Sequence, residues 1–190
     1  KGLFVFEEPY LGSMFEKISY DQIYDEHIFI FSVTSVNKVF KIFDMELIDV
    51  YPQITHGGSM RYVIGRKNVH EISNNVNTHL EKEKLKNLDN ISSCSIFKNK
   101  CELSKLKTRE SLLKFKEDNH RIAGYAATSK STTILNYCNI DNTIIDYICD
   151  TTPEKIGKFS PGSHIPIVDM SHFKKFNPDI AYLFAWNHKD

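Results

Sequence analysis

The run Arg121-Ile122-Ala123-Gly124-Tyr125-Ala126-Ala127-Thr128-Ser129-Lys130-Ser131-Thr132-Thr133-Ile134-Leu135-Asn136-Tyr137-Cys138 decides the fold class. Its apolar opening, ending in small residues, reads as a strand over 121–126. Residues 127–133 read as a loop that feeds a helix from Ile134 to Cys138. The alternation continues with a strand at 144–149 closed by Asp150, a glycine- and proline-bearing loop at 157–166, a short strand at 165–167, a helix at 173–176 and a strand at 181–186. Strands and helices at this spacing predict an α/β domain with a small parallel, Rossmann-like sheet.

Upstream, residues 68–119 are rich in Lys, Glu and Asn and lack proline. They predict two helices, 70–88 and 95–118, the second with an apolar stripe of Leu103, Leu106, Leu112, Leu113 and Phe115. Their charge reads as the solvated face of a helical connector. Residues 3–8 read as a buried strand, and Ser35 as the N-cap of a helix ending near Phe43. Strands follow at 45–51 and 60–66, the second antiparallel to the first. Strand–loop–helix–strand–strand resembles the end of a class I methyltransferase domain. The expected organisation is therefore an incomplete class I methyltransferase sheet at 1–67, a helical connector at 68–119 and the Rossmann-like domain at 120–190. The chain enters its first apolar strand at Leu3 and stops four residues after Trp186. The expectation is that both ends are cut.

Lys plus Arg and Asp plus Glu balance at 24 each, so no global field draws in nucleic acid. No apolar run approaches the roughly 18 residues of a membrane helix, and no signal peptide opens the chain. Cys94, Cys101, Cys138 and Cys149 form no C-x-x-C pair and read as reduced, buried thiols, which points to a cytoplasmic protein without a metal site of its own.

Three polar stretches carry the chemistry, and the expectation is that they face one cleft. Tyr24, Glu26 and His27 lie within four residues of each other, before an aromatic run. His27 suits a general acid or base, with Glu26 orienting it and Tyr24 donating to a developing oxyanion. The competing reading is a packed or surface histidine. In His56-Gly57-Gly58-Ser59 the glycines permit close backbone approach, and His56 and Ser59 are candidates to touch substrate; the alternative is a tight turn. Lys130, Ser131 and Thr132 precede a helix start that would favour a phosphate, although neither G-x-x-x-x-G-K nor G-x-G-x-x-G is present. An ordinary strand–helix turn is the alternative. His164, in Pro161-Gly162-Ser163-His164-Ile165-Pro166, is a candidate to cap the ligand edge of the second sheet.

The run 121–140, then Ile145-Asp146-Tyr147-Ile148-Cys149-Asp150 and the loop to Ile167, resembles the carboxyl-terminal domain of the nucleotide-sugar C-methyltransferases. Phe4-Val5-Phe6-Glu7-Glu8-Pro9-Tyr10-Leu11, Tyr20 to His27 and Thr55 to Tyr62 resemble the end of that family's S-adenosylmethionine domain. The resemblance implies methyl transfer from S-adenosylmethionine to a carbon beside the keto group of a nucleotide-linked 4-keto-deoxysugar. A base removes the acidic C–H and the enolate takes the methyl group. It implies His27 as that base, Tyr24 and Glu26 as its partners, a nucleotide-diphosphate sugar at Lys130 and its neighbours, and zinc only in an amino-terminal part absent from this chain. Two departures stand out. The family loop is G-Y-G-A-P-A-K-G, whereas here Ala126 replaces a glycine, Thr128 the proline and Ser131 the second glycine. The glycine-rich turn that cradles S-adenosylmethionine is also missing. The chain alone is therefore expected to be inactive. The competing function is a non-catalytic nucleotide-sugar-binding or subunit-docking module. An NAD-dependent sugar enzyme would suit the second sheet but lacks the fingerprint.

Overall fold

The computed structural model describes residues 2–188; Lys1, Lys189 and Asp190, which the domain expectations include, lie outside the described residues. The chain divides into two compact units, residues 1–22 with 26–100, and residues 23–25 with 101–190.

In the first unit β1 (Phe4–Pro9) leads into α1 (Leu11–Lys17), then α2 (Val33–Lys41), β2 (Met45–Gln53), β3 (Ser59–Arg66) and α3 (Asn74–Leu85). β3 lies between β1 and β2 and is antiparallel to both. Alternation along β3 turns Met60, Tyr62 and Ile64 to one face, a bulge between Leu47 and Asp49 of β2 brings Leu47 and Val50 to the same face, and Val33, Val36 and Val76 from the helices complete the core. Phe6 stacks on Tyr62 with ring centroids 5.0 Å apart.

The N-cap of α2 is Ser32, not Ser35. Ser32 accepts from the Ser35 backbone N–H, and the Ser35 hydroxyl oxygen accepts from the Ser32 N–H in return. Ser35 is the far half of a capping box, which moves the N-cap back three residues. Two further N–H groups of that end, those of Val33 and Thr34, donate to the two carboxylate oxygens of Glu83 at 2.7 and 2.8 Å. Glu83 is buried on α3. An ionised acceptor on the free N–H groups and positive end of a helix is favourable, and here it also ties α3 to α2. The segment read as the start of a connector is thus packed into the first unit.

α4 (Ile91–Glu117) runs on from the first unit into the second, where Leu112 joins the core and Leu113 and Phe115 pack against it. The second unit then has β4 (Ile122–Tyr125), α5 (Ser129–Tyr137), β5 (Tyr147–Cys149), β6 (Ile167–Val168), α6 (Met170–Phe176) and β7 (Ile180–Leu183). The four strands are parallel in the order β6-β5-β4-β7. Ile122, Leu135, Cys138, Ile140, Ile145 and Ile148 form the centre of its core. This confirms the Rossmann-like α/β reading. α5 begins five residues before the expected Ile134, because Thr128 and Ser131 form a second capping box. Lys130 therefore sits in the first turn of a helix rather than in a loop. Among the described residues no helix is long and apolar enough to cross a membrane.

Glu83→Ala removes two charge-assisted hydrogen bonds from a buried helix end, each worth about 1.5–3 kcal/mol. Amide exchange at Val33 and Thr34 should accelerate at least tenfold in this variant, while the amides of β4 and β5 keep their wild-type protection.

Candidate functional site

At the carboxyl end of β1 the side chains of Glu7 and Glu8 point to opposite faces, as strand geometry requires. Glu7 accepts from the Thr55 hydroxyl at 2.5 Å and from Arg61 at 2.9 Å. The Thr55 bond first, and then the Arg61 guanidinium, hold its carboxyl below the usual range despite some burial. This pins residues 55–58 to the strand. Within that turn His56 takes a left-handed φ of 54°, and Gly58 takes 140°. A Cβ at Gly58 would stand 2.5 Å from the Cβ of Ser13 on α1, so both its backbone angle and its surroundings demand glycine. Ser59 is buried and donates its hydroxyl to the Thr55 carbonyl at 3.0 Å.

Glu8 faces the other way. Its Oε2 lies 3.4 Å from Nδ1 of His27, whose side chain is 11% exposed. The His56 ring meets the His27 ring edge-on with centroids 5.7 Å apart. A carboxylate and two imidazoles therefore converge at the carboxyl end of β1. Such a cluster can take up a proton and hold the resulting charge.

The second site lies at the carboxyl ends of β4 and β5. Ala126 follows β4 with φ 73°. The Asp150 carboxylate accepts from the Ala127 N–H at 2.7 Å and from the Thr152 N–H at 2.8 Å. Lys155 donates to the Ala127 carbonyl at 2.7 Å and stands 3.4 Å from Asp150. Burial pushes the Asp150 carboxyl up, but the Thr152 and Ala127 donors and Lys155 outweigh it, and the net shift is downward. Lys130 is buried, with Nζ 5.4 Å from the Trp186 ring centroid. Along the outer face of α5 an open depression of about 500 Å³ is lined by Tyr24, Asp25, Ser129, Thr132, Thr133 and Asn136.

The residues singled out from sequence are thus distributed as follows. His27 and His56 come together. Tyr24 groups with the second unit, beside α5, although it is three residues from His27. Glu26 is exposed and makes no side-chain hydrogen bond or ion pair among the described residues, so it does not orient His27. Ser59 closes its own turn. Ser131 is spent on capping: its hydroxyl donates to the Thr128 carbonyl at 2.6 Å and accepts from the Thr128 N–H at 2.9 Å. Thr132 lines the depression. His164 is exposed with a φ of 53° and precedes β6, which places it at the amino-terminal side of a parallel strand, away from the ligand edge. Sequence reasoning missed Glu8, Asp150 as a loop brace, and Lys155. The signal for Glu8 was available: strand alternation places it opposite Glu7, at the carboxyl end of the strand.

These two edges sit in a chain that belongs to the C-methyltransferase C-terminal domain family, whose model matches residues 54–190. The chain is 30% identical over 188 residues to the C-methyltransferase NovU of Streptomyces niveus. That similarity covers 98% of this chain and 45% of NovU, so the chain spans less than half the length of that relative.

Two outcomes follow at the second edge. A left-handed backbone costs a non-glycine residue about 1–2 kcal/mol, and glycine gives part of that back as unfolded-chain entropy. Ala126→Gly should therefore raise the stability of the second unit by about 0.5–1 kcal/mol in urea unfolding followed by Trp186 fluorescence. A carboxylate held below its unfolded pKa stabilises the fold above that value and loses its contribution as pH falls through the folded one. Asp150→Asn should accordingly be less stable than wild type at neutral pH, and the gap should close as the pH drops below about 4, the ordinary aspartate range.

Proposed function

We propose that this chain is the carboxyl-terminal portion of an S-adenosylmethionine-dependent C-methyltransferase that methylates a carbon beside the keto group of a nucleotide-linked 4-keto-deoxysugar. Family membership supports the reaction class. The observation that carries the site is the convergence of Glu8, His27 and His56 at the carboxyl end of β1. A C–H beside a carbonyl is acidic enough for an imidazole to remove when the enolate is held by nearby donors. His27 is the base: the proton passes from the sugar carbon to the ring, and the electron pair of the C–H bond moves into the enolate. His56, whose ring meets that of His27, is the candidate donor to the sugar oxygens.

The edge of the second unit suits the nucleotide half of the substrate. The first turn of α5 offers a positive helix end, and Lys130 adds a charge to it. The depression beside Thr132 has room for a base or ribose. Among the described residues no strand is followed by a G-x-G-x-x-G turn with an acidic partner downstream, and this reading gives the chain's own residues the proton-transfer side of the reaction.

The test uses the complete polypeptide, labelled S-adenosylmethionine and a panel of 4-keto nucleotide sugars. Transfer of label into sugar that falls by at least 10² in His27→Ala is the expected result, in line with the contribution of a general base. Nucleotide binding without transfer to any sugar would favour a binding module, and transfer that survives the substitution would move the base elsewhere.

A further inference from the structure

We propose that Glu8 is a positioning residue for His27: its carboxylate fixes the imidazole with a proton on Nδ1 and leaves Nε2 to accept the proton of the substrate carbon. The inference rests on the reading of His27 as the base. Glu8 is the penultimate residue of β1 and pairs in register with Met60, which is fully buried. Its backbone is thus held by the sheet rather than by a loop. An ionised carboxylate can only accept, so the ring nitrogen that faces it must carry hydrogen. Nδ1 is that nitrogen, at 3.4 Å.

Several charged or titratable groups among the described residues stand around the ring and its neighbours, with Lys17 of α1 donating to the Gly57 carbonyl beside His56. Glu8 comes from β1, His56 comes from the 55–58 turn, and Glu7 on the opposite face is already engaged by Thr55 and Arg61. The His56 ring stands edge-on to the His27 ring, with centroids 5.7 Å apart. With Nδ1 occupied, proton uptake is directed to Nε2, and the imidazolium that forms stays beside a negative charge. Glu26, next to His27 in sequence, has no such contact among the described residues. The neighbour in space takes the role that the neighbour in sequence suggests.

The decisive measurement is the nitrogen-15 spectrum of the His27 ring at alkaline pH, in this chain and without substrate, for wild type, Glu8→Ala and Glu8→Gln. Wild type is expected to carry its proton on Nδ1. Glu8→Ala should lose that preference, and Glu8→Gln should keep it, because an amide oxygen still accepts. An identical proton distribution in Glu8→Ala and wild type overturns the proposal. In the complete polypeptide, Glu8→Ala should lower kcat roughly 10–100-fold with KM unchanged, the usual cost of losing a group that orients a working histidine. Glu8→Gln should recover part of it. A fall in KM-dependent binding with kcat intact would also overturn the proposal. Should His27→Ala retain methyl transfer, the base assignment fails instead, and the ring spectrum distinguishes that failure from a failure of the Glu8 contact.

Discussion

Everything in the first unit depends on how one buried carboxylate is satisfied. Glu83 arrives on α3, some fifty residues after the helix end it serves, and both its oxygens are taken by N–H groups of α2. A charge this deep is tolerable only with such partners. The bond fixes the entry of α2, and α2 covers the sheet face that holds Val50, Met60 and Tyr62. That face in turn fixes β1, whose end carries Glu8. Burial, and then the Glu83 charge, push the phenols of Tyr10 and Tyr62 far above their ordinary range, so both stay protonated and neutral. The chain of dependence runs from a helix cap to a candidate base.

Much of this was legible in the residues. Apolar runs of four to eight residues, punctuated by Gly, Pro and Asp, placed most strands, and the shift to strand–helix alternation after Arg121 announced the parallel sheet. Element starts were less legible. Ser32 and Ser35 are both acceptable caps, and the choice is settled by a reciprocal bond that forms only in the folded chain. Thr128 and Ser131 repeat the same ambiguity, which is why Lys130 reads as a loop residue and lies in a helix. The charged stretch at 74–85 reads as solvated because its one buried acid, Glu83, is indistinguishable in composition from its exposed neighbours.

The candidate site was half legible. Residue chemistry marked His27 and His56, but proximity along the chain misassigned their partners. Tyr24 and Glu26 are close to His27 in sequence, yet Tyr24 clusters with the second unit and Glu26 makes no side-chain hydrogen bond or ion pair among the described residues. Glu8 lies nineteen positions upstream and meets His27 through the geometry of β1. Ala126 illustrates the opposite case: the resemblance marked it as a departure from a glycine, and its φ of 73° shows why glycine is the easier residue there.

The brace of Asp150 and Lys155 on Ala127 has a further meaning. Both the N–H and the carbonyl of that residue are engaged by side chains from beyond the neighbouring strand. The turn that precedes α5 is therefore rigid before any ligand arrives. A binding surface shaped during folding loses little freedom when it is filled, so more of each contact made there survives as affinity. It also discriminates by shape, because a turn that cannot relax rejects what does not match it.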